Sequence, residues 1–293
     1  MPSVRVVLLL AVTPCVLAAQ DSSEVDSSAR LDTGTPPVTF GVTSGAMRFA
    51  DDRVQQGVTG VLRYHFGGSV SLSASPTFAR VMFPSALGGG SVNGFTDLPI
   101  ELDADHSFDG PWSPTIGVAL GASMPLGDQQ IGFGSGSIGA DIGAGVGASP
   151  IDGLSIHLGA GKPLTDYSAA GALGASGSAW TDAEMSWQLQ QHFTATLGYD
   201  GDLEADDSLG VARAVALSLA AMFGSGYTVT VSGGHGVSGP AARWTFALGI
   251  GTDFASLEAL GSSSPIQRFF RAMGGGSRRA SGSTPGSGHG RAP

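Results

Sequence analysis

The segment GFGSGSIGADIG at residues 132–143 has the glycine spacing that binds phosphate in dinucleotide-dependent enzymes. Gly134, Gly136 and Gly139 satisfy G-x-G-x-x-G, and Asp152 follows at a distance suited to a ribose hydroxyl. In such enzymes the glycines follow a strand and open a helix, whose N-terminal N–H groups bind the pyrophosphate. Here glycine recurs at every second position until Pro150, and no helix is predicted. We therefore expect no nucleotide and no other cofactor at this motif.

A row of carboxylates in LPIELDADHSF, residues 98–108, is the second candidate for chemistry. Glu101, Asp103 and Asp105 occupy alternate positions, so they share one face if this segment is a strand. One interpretation is a cation-attracting wall or part of a substrate path. The alternative is a structural ion-pair lattice with Arg63 or Arg243, which point the same way by parity. Acid–base catalysis is disfavoured, because carboxylates in a row on one strand are common in barrels.

Histidine and serine provide no recognisable site. His65, His157 and His192 fall on different predicted strands, and their spacing matches no metal-binding motif. No G-x-S-x-G occurs with a believable His/Asp set. The sequence therefore predicts no metal site, and we expect the protein not to be an enzyme.

The composition is unusual for a soluble enzyme. The 293 residues include 47 Gly, only 13% are charged, and the mean hydropathy is +0.17; charged residues usually make up about a quarter of a soluble protein. The net charge of −10 argues against a nucleic-acid partner. No internal apolar run reaches the roughly 18 residues of a membrane-spanning helix.

The two ends of the chain have their own character. Arg5, an apolar run and small residues near Ala18 predict a cleaved signal peptide over residues 1–19, which would remove Cys15, the single cysteine. A polar N-terminal leader follows at 20–36. Residues 257–293 form a low-complexity C-terminal tail, predicted to be disordered.

Between these ends, apolar residues alternate with small or polar ones, as in half-buried strands. In 138–148, for example, Ile, Ala and Val alternate with Gly and Asp141. About twelve strands are predicted within residues 37–256, with ten or fourteen as alternatives. They are 37–49, 54–66, 69–83, 95–108, 113–125, 136–148, 153–165, 178–190, 193–204, 209–222, 227–237 and 241–254.

The breaks between these segments indicate how the strands are connected. Tight turns follow the even-numbered strands, whereas the longer breaks, at 84–94, 126–135 and 166–177, follow odd-numbered ones. Short turns on one side and longer loops on the other are typical of bacterial outer-membrane barrels. The predicted fold is therefore all-β, a transmembrane antiparallel up-and-down β-barrel, and the three long loops are predicted to gate or plug it.

Parity along these strands selects the charged residues that would face the barrel lumen. A charge facing lipid at mid-membrane costs about 2–4 kcal/mol, so charged side chains on strands are assigned to the inside. The candidate lumen-lining residues are Arg63, Glu101, Asp103, Asp105, Asp141, His157, Glu184 and Arg243.

Residues 122–161 add a resemblance to a known family. A strand ending in a P-x-G turn, a loop and then G-x-G-S resemble the outer-membrane barrels of the phenol-degradation meta-pathway family, at Pro125, Gly127, Gly134, Gly136 and Ser137. FTDLPIELDADHSF at 95–108 is similar to that family's Asp-containing strand. One departure is that the last predicted strand reaches the aromatic Phe254 with 39 residues still to follow, whereas outer-membrane chains usually end on that aromatic.

The resemblance implies passive passage of small molecules, including apolar or aromatic ones, across the outer membrane. The expected partners are outer-membrane lipid, the barrel-assembly machinery and a small-molecule solute. The alternatives are a non-conducting structural or adhesive barrel and, less favoured, an outer-membrane enzyme that modifies lipid.

Overall fold

The computed structural model describes residues 38–67, 69–131, 133–165, 179–203, 211–224, 226–238 and 241–252. The predicted signal peptide, N-terminal leader and C-terminal tail lie outside the described residues and stay predictions. Within the described part of the chain, no helix is long and apolar enough to cross a membrane.

The described residues form twelve long strands in the order that the alternation predicts. β3 and β4 each consist of two segments. The strands are β1 Val38–Arg48, β2 Val54–Gly67, β3 Val70–Ala74 with Thr77–Met82, β4 Ser91–Phe95 with Leu98–Ser107, β5 Thr115–Met124, β6 Gly139–Ile151, β7 Leu154–Pro163, β8 Trp180–Gln190, β9 Phe193–Asp202, β10 Arg213–Phe223, β11 Tyr227–Ser238 and β12 Trp244–Thr252.

Each strand pairs antiparallel with its neighbours in the chain, and the sheet closes on itself. β1 pairs with β2 through contacts such as Thr43↔Thr59, and with β12 through contacts such as Thr43↔Gly249. A closed sheet leaves no unpaired edge, which a structure surrounded by lipid requires. The predicted fold class, an up-and-down antiparallel barrel of twelve strands, is confirmed.

Two adjacent strands are interrupted at the same height, where the alternation predicts unbroken strands. β3 breaks at Ser75–Pro76 because proline has no N–H to donate to the ladder. β4 begins at Ser91, before the predicted residue 95, and breaks at Thr96–Asp97. Hydrogen bonds from the Ser75 N–H to the Pro99 carbonyl (3.1 Å) and from the Thr96 N–H to the Thr77 carbonyl (2.9 Å) keep the wall continuous.

The connections differ between the two ends of the barrel. Two- to seven-residue turns at 68–69, 108–114, 152–153, 191–192 and 224–226 define the turn end. Connections at 49–53, 83–90, 125–138, 164–179, 203–212 and 239–243 define the loop end, where 83–90 includes a short 3₁₀ helix, Ser85–Leu87. The long breaks predicted at 84–94 and 126–135 are thus connections at the loop end, whereas the third predicted loop, 166–177, lies outside the described residues.

The outer surface of the wall is apolar and the inner surface is polar. Outward-facing side chains such as Leu62 and Phe246 remain 54% and 51% exposed, whereas inward-facing Thr43 and Thr59 are buried. Soluble monomers rarely expose a contiguous apolar surface of this extent, and a barrel in lipid does so all the way round.

Candidate functional site

Charges on the strands divide between the two faces of the wall. Strand pairing places every Asp and Glu of the described strands on the inner face. These carboxylates are Glu101, Asp103, Asp105, Asp141, Asp182, Glu184, Asp200 and Asp202. Of the Lys and Arg residues on the described strands, Arg63 alone faces inward. The interior is therefore negative along β4 and from β6 to β9.

The first inward cluster joins β2 to β4. Arg63 Nη2 lies 3.8 Å from Asp103 Oδ2, and both side chains are 1% exposed. Ser71 on β3, between the two strands, donates a hydrogen bond of 3.5 Å to the same oxygen. Glu101 lies opposite Ser73 of β3, while Asp105 continues the row on β4. Asp103 of the carboxylate row thus forms an ion pair with Arg63, while the roles of the row as a cation-attracting wall or as an ion-pair lattice both stay predictions.

A second inward cluster spans β7 and β8. His157 Nδ1 lies 3.4 Å from Asp182 Oδ2, and the Asp182 side chain is 2% exposed. Glu184 lies opposite His157 in the strand register and accepts a hydrogen bond of 3.2 Å from the Ser186 hydroxyl. Asp200 of β9 lies directly opposite Asp182.

Glycines on the inner face make room for these carboxylates. A Cβ atom on Gly121 would clash with the carboxylate of Asp141, its partner across β5 and β6. A Cβ on Gly159 would likewise clash with the carboxylate of Asp182. Glycine at these two inward positions therefore lets the carboxylates lie flat against the wall.

An apolar cluster of buried side chains lies near the loop end of the barrel, and we call it the mouth cluster. Its central member is Phe133 of the 125–138 loop, which is 0% exposed although it belongs to a connection. A Cβ on Gly94 of β4 would lie 3.3 Å from the Phe133 ring, so the ring fits closely against the wall. The cluster comprises Met47, Phe49, Ala79, Val81, Phe133, Ala242 and Ala247, with Phe83 and Val92 packed against it.

Asp97, in the break of β4, anchors this loop in place. Its Oδ2 accepts hydrogen bonds from the Ser135 hydroxyl (2.6 Å) and the Ser135 N–H (2.7 Å). Its Oδ1 accepts a third, from the Gly127 N–H at 3.0 Å. Hydrogen bonds to a charged group contribute about 1.5–3 kcal/mol each. The strand break thus places a carboxylate where it holds both ends of the loop.

The G-x-G-x-x-G glycines serve this loop and not a phosphate. A Cβ on Gly134 would clash with the Gly127 carbonyl, and a Cβ on Gly127 would clash with the Phe133 carbonyl. Gly136 adopts a left-handed φ of +70°. Gly139 begins β6, so no helix follows the motif.

Arg53, in the turn between β1 and β2, supports the mouth cluster from its rim. Its guanidinium carbon lies 4.5 Å from the centre of the Phe49 ring, and the Asp51 carboxylate lies 3.7 Å from Nε. Burial lowers the pKa of Arg53 below its ordinary value, and the Asp51 charge acts in the opposite direction. The group stabilises Phe49 by a cation–π contact.

The structure brings most of the candidate lumen residues to the inner face, with one exception. Glu101 and Asp141 flank Gly121 in one register row, and His157 lies beside Glu184. Arg243 lies instead just before β12 and is exposed, and among the described residues it makes no ion pair. Its backbone N–H donates to the Arg48 carbonyl at 2.7 Å.

Sequence reasoning did not identify Asp182, Asp200, Asp97 or Phe133. Asp182 has the same parity as Glu184, so the alternation in WTDAEMSW could have identified it. Asp97 and Phe133 lie at a strand break and in a loop, where no periodicity marks the face. No group of three or more His, Cys, Asp or Glu with metal-site geometry occurs among the described residues.

No family model matches the chain, and no curated protein is significantly similar to it. Several solved structures resemble it. An outer membrane channel from Pseudomonas putida F1 is 14% identical, with a TM-score of 0.57 over 78% of this chain and 99% of that one. The NanC porin is 12% identical, with a TM-score of 0.48 over 73% of this chain and 99% of that one. The CymD monoaromatic hydrocarbon channel is 8% identical, with a TM-score of 0.42 over 73% and 87%.

The first of these comparisons agrees with the strand pairing, since it matches nearly the whole of the other chain. At this level of identity it reports on the fold and not on the solute. The chain therefore has the fold of an outer-membrane β-barrel.

Proposed function

We propose that this protein is a passive channel for small solutes in the outer membrane of a diderm bacterium. The observation that carries the proposal is the pairing of an apolar outer wall with a polar, acidic inner wall in one closed barrel. A barrel that served only as an anchor would not need inward carboxylates on four of its strands, β4, β6, β8 and β9. Outer-membrane lipid surrounds the apolar wall, and the loop end faces the outside of the cell.

The proposed route runs between the acidic side of the interior and a wall of hydroxyl groups. Inward-facing Thr39, Thr43, Thr228, Thr230 and Ser232 lie on β1 and β11, where they are buried, so a solute would have to displace packed side chains to reach them. Carboxylates on the acidic side raise the local concentration of cations. Neutral or cationic small molecules fit this lining.

At the mouth, the same route meets the apolar side chains packed around Phe133. A solute with an apolar or aromatic part would cross this region by displacing the 125–138 loop, which is the gating role that the sequence predicts for that loop. The aromatic solutes implied by the resemblance to the phenol-degradation meta-pathway family would cross the mouth cluster in this way. Lumen-lining roles for Arg63, Glu101, Asp103, Asp105, Asp141, His157 and Glu184 belong to the proposal, whereas Arg243 would act at the mouth.

Export through cleavage of residues 1–19 and insertion by the barrel-assembly machinery complete the proposal. Both follow from the sequence pattern and the fold type. The protein would act without a cofactor and without catalysis.

Liposome swelling tests the proposal. Refolded protein in liposomes should admit small neutral sugars, amino acids and phenolic compounds at rates that rise with protein content. Heat-modifiable migration on a detergent gel would verify folding beforehand. Folded protein that gives no swelling with any solute would favour the non-conducting structural barrel. Release of fatty acid from the liposome lipid would favour the enzyme.

A further inference from the structure

The outward face of the strands carries charge of one sign and at one end only. The Lys and Arg residues on this face of the described strands are Arg48, Arg80, Lys162 and Arg213. Each is exposed, and each lies within three residues of the loop end of its strand. We call these four residues the cationic rim.

The turn end has no counterpart to the cationic rim. Within the described ranges, no Lys or Arg is among its outward-facing and turn side chains, and the charges in its turns are the carboxylates of Asp109 and Asp152. The outward-facing side chains at this end are mostly apolar or aromatic. They include Phe66, Phe108, Trp112, Phe193 and Phe223. If the cations served only solubility they would occur at both ends, so their restriction to the loop end indicates a ligand specific to that side.

Side chains that can donate hydrogen bonds to an anion converge at one part of the rim, where β9, β10 and β11 meet. A Cβ on Gly201 would lie 2.6 Å from the Tyr199 hydroxyl and 3.4 Å from the Arg213 Cγ, so both side chains converge over this glycine. His235 of β11 lies in the same register row as Val215 and Tyr199. A guanidinium, a phenol and an imidazole here offer several hydrogen-bond donors to one anion.

We propose that the cationic rim binds the phosphate groups of phosphorylated glycolipids packed around the barrel in the outer leaflet. Apolar side chains directly below the rim, such as Phe78 beneath Arg80 and Val215 beneath Arg213, would contact the acyl chains of the same lipids. The rim cations on β1, β3, β7 and β10 are distributed around the barrel, so several lipid molecules would be held. The inference relies on the membrane orientation proposed above but not on conduction.

Lys162 and Arg213 are the residues on which to test it. Arg48 already pairs with Asp52 at 2.8 Å, and Arg80 donates a hydrogen bond to Ser91 at 3.2 Å. The side chains of Lys162 and Arg213 make no hydrogen bond or ion pair with other described residues. The double variant Lys162→Gln/Arg213→Gln therefore removes positive charge without breaking an internal contact of the barrel.

The experiment measures binding of defined lipids to folded protein in mixed neutral-detergent micelles. The probes are bisphosphorylated lipid A, the same lipid A with its phosphates removed, phosphatidylglycerol and phosphatidylethanolamine. Because one cation near a charged lipid surface contributes about 1 kcal/mol, we expect the double variant to bind bisphosphorylated lipid A more weakly, by about fivefold for each cation removed. The matched control is His106→Gln, an outward-facing change at the turn end, which should leave binding unchanged.

Three results would overturn the proposal. Equal affinity of wild type and double variant for bisphosphorylated lipid A would remove the role of the rim. Equal affinity of the wild type for lipid A with and without phosphates would exclude phosphate recognition. Binding of phosphatidylglycerol as tight as that of lipid A would reduce the rim to a general anionic-lipid surface. None of these readouts depends on channel activity, so failure of the channel proposal would be seen separately.

Discussion

The carboxylate of Asp97 receives both the hydroxyl and the N–H of Ser135, at 2.6 and 2.7 Å, across 38 residues of chain. This pair ties the break in β4 to the loop that carries Phe133 into the barrel mouth. Neither residue shows its role in the alternation of the sequence, although both lie in the segments that carry the family resemblance. The contact links those two segments physically.

Removing the Asp97 charge should loosen the loop. In Asp97→Asn an N–H₂ group replaces one of the two accepting oxygens, so at least one of the donors on Gly127 and Ser135 loses its acceptor. A hydrogen bond to a charged group, which contributes about 1.5–3 kcal/mol, is then lost. We expect longer or more frequent open periods in planar-bilayer recordings, with strand content unchanged by circular dichroism. Asp128→Asn is the control. Asp128 lies on the same loop, but its carboxylate accepts a hydrogen bond from the Gln130 N–H of that loop and does not join the loop to β4. Identical gating of both variants and wild type would argue against the anchor.

Shortening Phe133 should both open the mouth and weaken the barrel. A fully buried phenylalanine changed to alanine typically loses about 3–5 kcal/mol of stability. Phe133→Ala should therefore unfold at lower urea concentration and show larger single-channel steps. Phe246→Ala, at an outward-facing position that is 51% exposed, should leave step size unchanged. A smaller or equal step in Phe133→Ala would mean that the ring does not narrow the route.

A methyl group on Gly121 should destabilise the wall through Asp141. The added Cβ would clash with that carboxylate, so Gly121→Ala should lower the yield of folded, heat-modifiable barrel. The double variant Gly121→Ala/Asp141→Ala should recover the yield, because the clashing group is gone. Gly60→Ala is the control, since a Cβ there would meet the Pro76 Cγ at an ordinary 3.7 Å. No recovery in the double variant would point to a backbone effect of glycine instead.

The second carboxylate cluster should give the channel a preference for cations. A charge about 4 Å from a passing ion contributes about 1 kcal/mol even in bulk water. Neutralising Asp182 and Glu184 as Asp182→Asn/Glu184→Gln should lower the K⁺/Cl⁻ permeability ratio severalfold, as read from reversal potentials in a salt gradient. Asp152→Asn, in the 152–153 turn, is the control and should change the ratio little. A wild-type channel that prefers Cl⁻ would contradict this assignment.

The alternation of the sequence was sufficient to predict the barrel, the strand number and the inward face of residues such as Asp141 and Glu184. It succeeded because lipid outside and polar groups inside impose a period of two on every strand. It missed the break at Ser75–Pro76, across which the alternation itself continues, and the break at Thr96–Asp97, where the outward face changes from odd to even residues. It also missed Phe133, whose position depends on contacts distant in sequence. Arg243 has the sequence parity of an inward-facing residue, but it lies just before β12. Outside a strand, the alternation does not determine which way a side chain points.

The ionic current through single refolded barrels in a planar bilayer tests the central claim most directly. Wild-type protein should give discrete, cation-preferring steps in KCl. The steps should be larger or longer in Phe133→Ala and Asp97→Asn. Correctly folded wild type and Phe133→Ala that both insert and give no steps would contradict the account.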